Sequence, residues 1–175
     1  MDKANVTARY RAESVLPADP ETVFRYIDPL PGSVREKWDK AIKELQIVER
    51  MGDDLKLLRT ITHSAFGGII SSRDFTDLSL TVKTDEFIAT MSQGVEHPDC
   101  PPSSDYVRGI NYPCALICFK IPDNPNQTRL ITYNQTDLGG MLPKSIVETA
   151  LPSNMMNFFT LVKTAMKEDG VMKED

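Results

Sequence analysis

The sequence is poor in the residues that metal proteins, hydrolases and membrane spans depend on. Histidine occurs only twice. His63 and His97 stand apart from any cysteine or carboxylate at ligand spacing, whereas a zinc site takes three or four such ligands. No metal site is expected. The three cysteines, Cys100, Cys114 and Cys118, cannot all pair, and Cys114 and Cys118, four apart on a strand, lie about 13 Å from each other, too far to bridge. They read as small space-filling residues. The opening MDKANVTARY has no apolar signal core, and no stretch approaches the roughly 18 apolar residues of a membrane span. A reducing, cytoplasmic compartment is expected, so the sequons at Asn5, Asn126 and Asn134 are read as chance matches. Basic charge is also scarce: the net charge is -5, which argues against nucleic acid as a partner. A local basic patch or apolar lid on an acidic protein can still touch a membrane. The glycines form no G-x-S-x-G, G-x-x-x-x-G-K or G-x-G-x-x-G motif. Gly67-Gly68 and Gly139-Gly140 fall in loops, as turn chemistry or as flexibility at an opening. Carboxylates such as Asp53-Asp54 and Asp85-Glu86 sit in turns and form no acid–base pair. No catalytic residue and no cofactor is expected.

What is present suits one globular domain over residues 1–175. The chain is 41% hydrophobic and 26% charged, with 12 prolines spread along it, enough to bury one core and too short for two. Residues 4–16 alternate and read as a strand. Asp19-Pro20-Glu21 then starts a short helix, Pro29 and Pro31 close it, and SVREKWDKAIK reads as a second brief helix carrying Trp38. From Leu45 onward, runs rich in Ile, Val, Leu and Thr alternate with turn signals. LQIVER with LKLLRTITHS, and DFTDLSLTVK with FIATMSQGVEH, read as hairpins. YVRGINYPCALICFKI and TRLITYNQTD supply further strands, giving six or seven, mostly antiparallel. A long helix over residues 144–168 comes last, with an apolar face and with Pro152 expected to kink or break it. Strands first and a long helix last is an α+β pattern.

Polar residues punctuate these strands: Thr60, Thr62, Ser79, Gln93, Asn134 and Gln135. In a cavity they would orient a mostly apolar ligand. On a solvated face they are ordinary strand formers.

Four blocks carry a family resemblance. WD at 38–39, SSRDFTDL at 71–78, EHPDCPPSSDYVRGINYPC at 96–114 and TDLGGMLPKSIVE at 136–148, followed by LPSNMMNFF, resemble the START domain, the lipid-transfer module related to steroidogenic acute regulatory protein. The nearest likeness is to its small single-domain members that carry sterols, oxysterols or bile acids. The resemblance implies a helix-grip fold, a curved antiparallel sheet wrapped around the long C-terminal helix with one lipid in an internal tunnel. It implies a gate formed by the AFGGII loop and the last helix, with Phe66, Ile69, Ile70, Leu142 and Met155 meeting the membrane during exchange. Arg73, Asp74 and Arg108 would be structural ion-pairing residues that tie strand ends and loops together.

Two departures qualify that picture. Aligning RDF without gaps puts the charged tunnel positions of sterol-carrying relatives at Thr60 and Ser79, both neutral here. Leu78, Leu80 and Val82 form the apolar face of their strand, so Ser79 lies on the other face unless a bulge shifts the register. The chain also begins at about the second strand of the family pattern, without the N-terminal helix and first strand, leaving a sheet edge at residues 4–16.

The resulting expectation is a monomeric, non-enzymatic carrier of one sterol-like lipid with transient membrane contact. Thr60, Thr62, Ser79 and Gln135 are its candidate ligand-binding residues. The rivals are a ligand-sensing interaction module that uses the open edge or the gate, and a helix-grip cyclase or hydrolase using Asp77 or Glu96.

Overall fold

The computed structural model describes residues 7–172. Strand β1 spans Tyr10–Leu16; residues 4–6 of the expected strand, and Asn5, lie outside the described residues. Helix α1, Pro20–Ile27, starts as its sequence requires. The Asp19 carboxylate accepts from Thr22 N at 2.9 Å and from Thr22 Oγ1 at 2.7 Å, with Pro20 in the first turn. Helix α2 is only Arg35–Trp38. The helix expected through Lys43 is corrected: Ile42 already belongs to β2, Ile42–Arg50, where Ile, Leu and Val pair with β3, Leu55–Thr62.

Strands β4, Arg73–Lys83, and β5, Phe87–Gly94, form the second hairpin. The single strand expected from Tyr106 is broken at Gly109 and Pro113 into β6, Val107–Arg108, β7, Ile110–Asn111, and β8, Cys114–Lys120. Strands β9, Thr128–Asn134, and β10, Thr136–Asp137, follow. Helix α3, Lys144–Glu168, is continuous through Pro152, so of the kink or break expected there the break does not occur.

The main sheet runs β1-β9-β8-β5-β4-β3-β2, with β6 parallel to the start of β4, and β7 pairs with β10 in a separate ribbon. Neighbours along the main path are antiparallel, and β1 and β2 are its edges. Helix α3 comes closest to β1, α1 and α2.

The helices and the sheet share one core. Leu16, Cys118 and Leu130 pack with Val23, Tyr26 and Ile27 of α1, Trp38 of α2, and Phe159, Val162 and Met166 of α3. Trp38 Nε1 donates to Tyr26 O at 2.9 Å, its ring meets Phe158 edge-on at 5.4 Å, and the Tyr26 hydroxyl donates to Asp169 just past the end of α3. Burial and that carboxylate push the Tyr26 hydroxyl up to about 12.

Register decides which strand faces meet the helices. Leu130 pairs with Cys118 and Cys118 with Ile88, and Ile88 pairs with Lys83, so Lys83, Thr81, Ser79 and Asp77 line up on the inner, helix-facing side. No register shift interrupts β4 and β5. Ser79 therefore faces inward without a bulge, and Leu78, Leu80 and Val82 face outward, with Leu80 40% exposed.

Candidate functional site

From Asp77 to Lys83, strand β4 is amphipathic in the reverse sense: its inner face is polar and its outer face apolar. Asp77, Ser79 and Thr90 of the inner face are all buried. Ser92 Oγ donates to Ser79 Oγ at 3.0 Å across the β4–β5 pair, and Cys114 follows Ser92 on β8. Two side-chain oxygens in this row, Asp77 Oδ1 and Thr90 Oγ1, have no hydrogen-bond partner among the described residues. They lie about 13 Å apart along the strands. Such groups are rare in a solid core, where nearly all buried polar atoms are paired.

The Asp77 end of the row is closed by the β7–β10 ribbon. Gly94 pairs with Asp77, and a side chain on Gly94 would collide with the Asn111 backbone, at 2.7 Å from Asn111 O. The bare glycine lets Asn111 close over the sheet. Asn111 Nδ2 then donates to Asp77 Oδ2 at 2.9 Å, and Thr136 Oγ1 donates to Asn111 Oδ1 at 2.7 Å. Burial pushes the Asp77 carboxyl up to about 6, against the opposing pull of the Asn111 hydrogen bond and the Arg108 charge. Burial and the nearby Asp77 charge push the Cys114 thiol up to about 12, so it is no ready nucleophile.

The other expected ligand residues divide. Thr60 is on the inner face, opposite Phe75. The Thr62 hydroxyl accepts from Arg73 N at 3.1 Å and so clips β3 to the start of β4. Gln135 accepts from Arg9 Nε at 2.7 Å, donates to Thr7 O at 3.2 Å, and borders a surface hollow of about 290 Å³ beside Tyr133. Of the two carboxylates considered for catalysis, Glu96 is exposed beyond β5, and Asp77 is buried with an amide partner.

Arg73 and Asp74 do not pair with each other, because adjacent residues of a strand point to opposite faces. Arg73, 3% exposed, donates to Leu138 O at 3.0 Å and to the carbonyl and hydroxyl of Ser71. It joins the end of the 65–70 turn to the segment that leads into α3. Gly139, at φ +64, passes so close to Arg108 O that a side chain there would stand 2.5 Å from it. Asp74, fully buried on the outer face, accepts from Arg59 and Arg108, each at 2.8 Å at the closest. Burial alone would raise its carboxyl, but the two guanidinium groups outweigh that and hold it below its ordinary range. The 99–103 segment covers this cluster from outside, bordering a cleft of about 430 Å³ against β2.

At the expected gate, Phe66 is 40% and Ile69 59% exposed, and Leu142 is half-buried. Ile70 and Met155 are both buried, Ile70 because its backbone pairs with Ala65 and turns the side chain inward, Met155 because it lies on the packed face of α3. Two further exposed methionines carry no signal in the sequence: Met141, fully exposed just before α3, and Met156, 63% exposed at the middle of that helix. Among the described residues, no helix is long and apolar enough to cross a membrane, and no group of three or more His, Cys, Asp or Glu is placed to hold a metal.

A curved antiparallel sheet closed over a long C-terminal helix, with hydrogen-bonding groups turned inward, defines an α+β helix-grip domain. The START domain family model matches residues 2–170, and the chain belongs to that family. It is 42% identical over 161 residues to bovine StAR-related lipid transfer protein 5, covering 91% of this chain and 75% of the relative. To human StAR-related lipid transfer protein 6 it is 35% identical over 159 residues, covering 90% and 71%. The solved structure of human StAR-related lipid transfer protein 5 superposes with a TM-score of 0.86 at 36% identity, covering 93% of this chain and 76% of that one.

Proposed function

We propose that this protein is a non-enzymatic carrier, working from the cytoplasm, that encloses one sterol-like lipid between the inner sheet face and α3 and exchanges it at membranes. The observation that carries this reading is the inner-face row of hydrogen-bonding groups with two unpartnered oxygens. It suits a ligand whose apolar body is buried, at roughly 25 cal/mol per Å² removed from water, while a few polar groups fix its orientation. The relatives, StAR-related lipid transfer proteins, point the same way.

Exchange is assigned to the end of the molecule where Phe66, Ile69 and Met141 are exposed and Arg73 ties the two loops together. The test is sterol transfer between liposomes by Ile69→Asp and Met141→Asp variants. Transfer should slow severalfold while equilibrium sterol binding stays at the wild-type level. Unchanged transfer in both variants would move the exchange site elsewhere. A wild-type protein that takes up no sterol would refute the carrier reading.

Asp77 supplies a reason to consider the enzyme alternative, because a buried carboxyl raised to about 6 is the usual form of a general base. Among the described residues its only hydrogen-bond partner is the Asn111 amide, and none of them positions a nucleophile against it. Storage of a ligand accounts for that geometry and turnover does not.

A further inference from the structure

The Asp77 carboxylate is 8% exposed and half satisfied. The Asn111 amide turns its nitrogen toward Asp77 Oδ2, at 2.9 Å, because a carboxylate oxygen only accepts, and its own oxygen lies 2.7 Å from Thr136 Oγ1, whose single proton is shared with Asn134 Oδ1 at 2.6 Å. Asp77 Oδ1 has no partner among the described residues. The neighbours on the inner face do not supply one: Gly94 and Leu58, which pair with Asp77 on either side, carry no donor, and the Cys114 thiol is directed to Ser92 O. An ionised carboxylate oxygen only accepts, so the group that completes this site has to be a donor.

Resting on the carrier reading above, we propose that Asp77 is the acceptor for a hydroxyl group of the carried lipid. The polar end of the ligand is then seated in the corner made by Asp77, Asn111 and Thr136. A ketone in that corner would set two acceptors against each other, and a ligand carboxylate would set two like charges together. The site therefore selects lipids by a hydroxyl, whatever their skeleton. Thr136 and Asn111 act as positioning residues, since they orient the carboxylate without being the group that meets the ligand.

The test uses the whole chain, stripped of lipid and titrated with cholestanol and with cholestan-3-one, which differ only in the oxygen function at one carbon. The wild-type protein should bind the alcohol about tenfold or more tightly than the ketone, the worth of a hydrogen bond to a charged acceptor. In Asp77→Asn the new amide oxygen accepts from Asn111 and its nitrogen faces the ligand, so ketone binding should tighten and the gap close to about threefold or less. A role that is merely structural would not strengthen ketone binding. Equal affinities in the wild type, unchanged by the substitution, overturn this inference and leave the carrier reading standing; failure to take up either sterol overturns both. If Asp77→Asn does not fold, Thr136→Val replaces it. Freed from Thr136, the Asn111 amide can turn, and the preference for the alcohol should shrink; an undiminished preference refutes the positioning.

Discussion

Replacing Asp77 by Asn should make the lipid-stripped protein more stable at neutral pH. The folded protein holds the Asp77 proton up to about pH 6, whereas the ordinary carboxyl value is 3.8. Between those values the folded state binds more protons than the unfolded chain, so stability falls as pH rises through the window, and the loss is complete above it. A shift from 3.8 to about 6 corresponds to about 3 kcal/mol, an order-of-magnitude figure. Asn keeps the shape and the Asn111 hydrogen bond without the buried charge. In a chain of this size a stabilisation of about 3 kcal/mol raises the melting temperature by about 6–12 °C. Differential scanning calorimetry at pH 7.5 should show that rise, and at about pH 4, where Asp77 is neutral in the folded state, the two proteins should melt nearly together. An equal difference at both pH values, or none at pH 7.5, would refute the reasoning, because the charge would then carry no burial penalty.

On the opposite face, Asp74→Asn should destabilise by about 2–3 kcal/mol in urea titration, somewhat below the cost of breaking a fully buried pair because Arg59 and Arg108 keep 19% and 17% side-chain exposure. Arg73→Lys should cost about 1–3 kcal/mol, since one ammonium cannot span Ser71, Leu138 and Gly139 as the guanidinium does, and hydrogen exchange should speed up in the 65–72 and 138–143 loops. With its thiol raised to about 12, Cys114 should resist iodoacetamide at pH 8 in the folded protein and react on unfolding, as mass spectrometry would register.

The order of elements was legible because it rests on local chemistry: the Asp19-Pro20 helix start, the turn between β4 and β5, and the apolar spacing of residues 144–168. The boundary between α2 and β2 was not, because Ala41, Ile42 and Lys43 continue a helical pattern locally and only pairing with β3 makes them a strand. For the site, alternation revealed that β4 has two faces and left open which one is inside. Hydrophobic-in logic favours Leu78, Leu80 and Val82, and the register reverses it. The same limit applies at the gate, where Ile69 and Ile70 are equally apolar and a single backbone bridge from Ala65 to Ile70 exposes one and buries the other. Asn111 as the partner of Asp77 was out of reach, since it depends on Gly94 admitting a backbone from 17 residues further along.

Two carboxylates three residues apart on β4 therefore answer acid in opposite ways, because an odd separation puts them on opposite faces. Asp74, held low by Arg59 and Arg108, stabilises the fold at neutral pH and loses that contribution as pH falls below its ordinary value. Asp77, held high by burial, weakens the empty fold at neutral pH and recovers as pH falls toward about 4. A hydroxyl donated to Asp77 Oδ1 would favour the charged form and lower that carboxyl. Lipid-loaded protein should thus lose the Asp77 contribution to the pH dependence, so melting curves of stripped and loaded protein should diverge most above about pH 6 and converge toward pH 4. A ligand that stabilised equally across that range would be binding without touching Asp77.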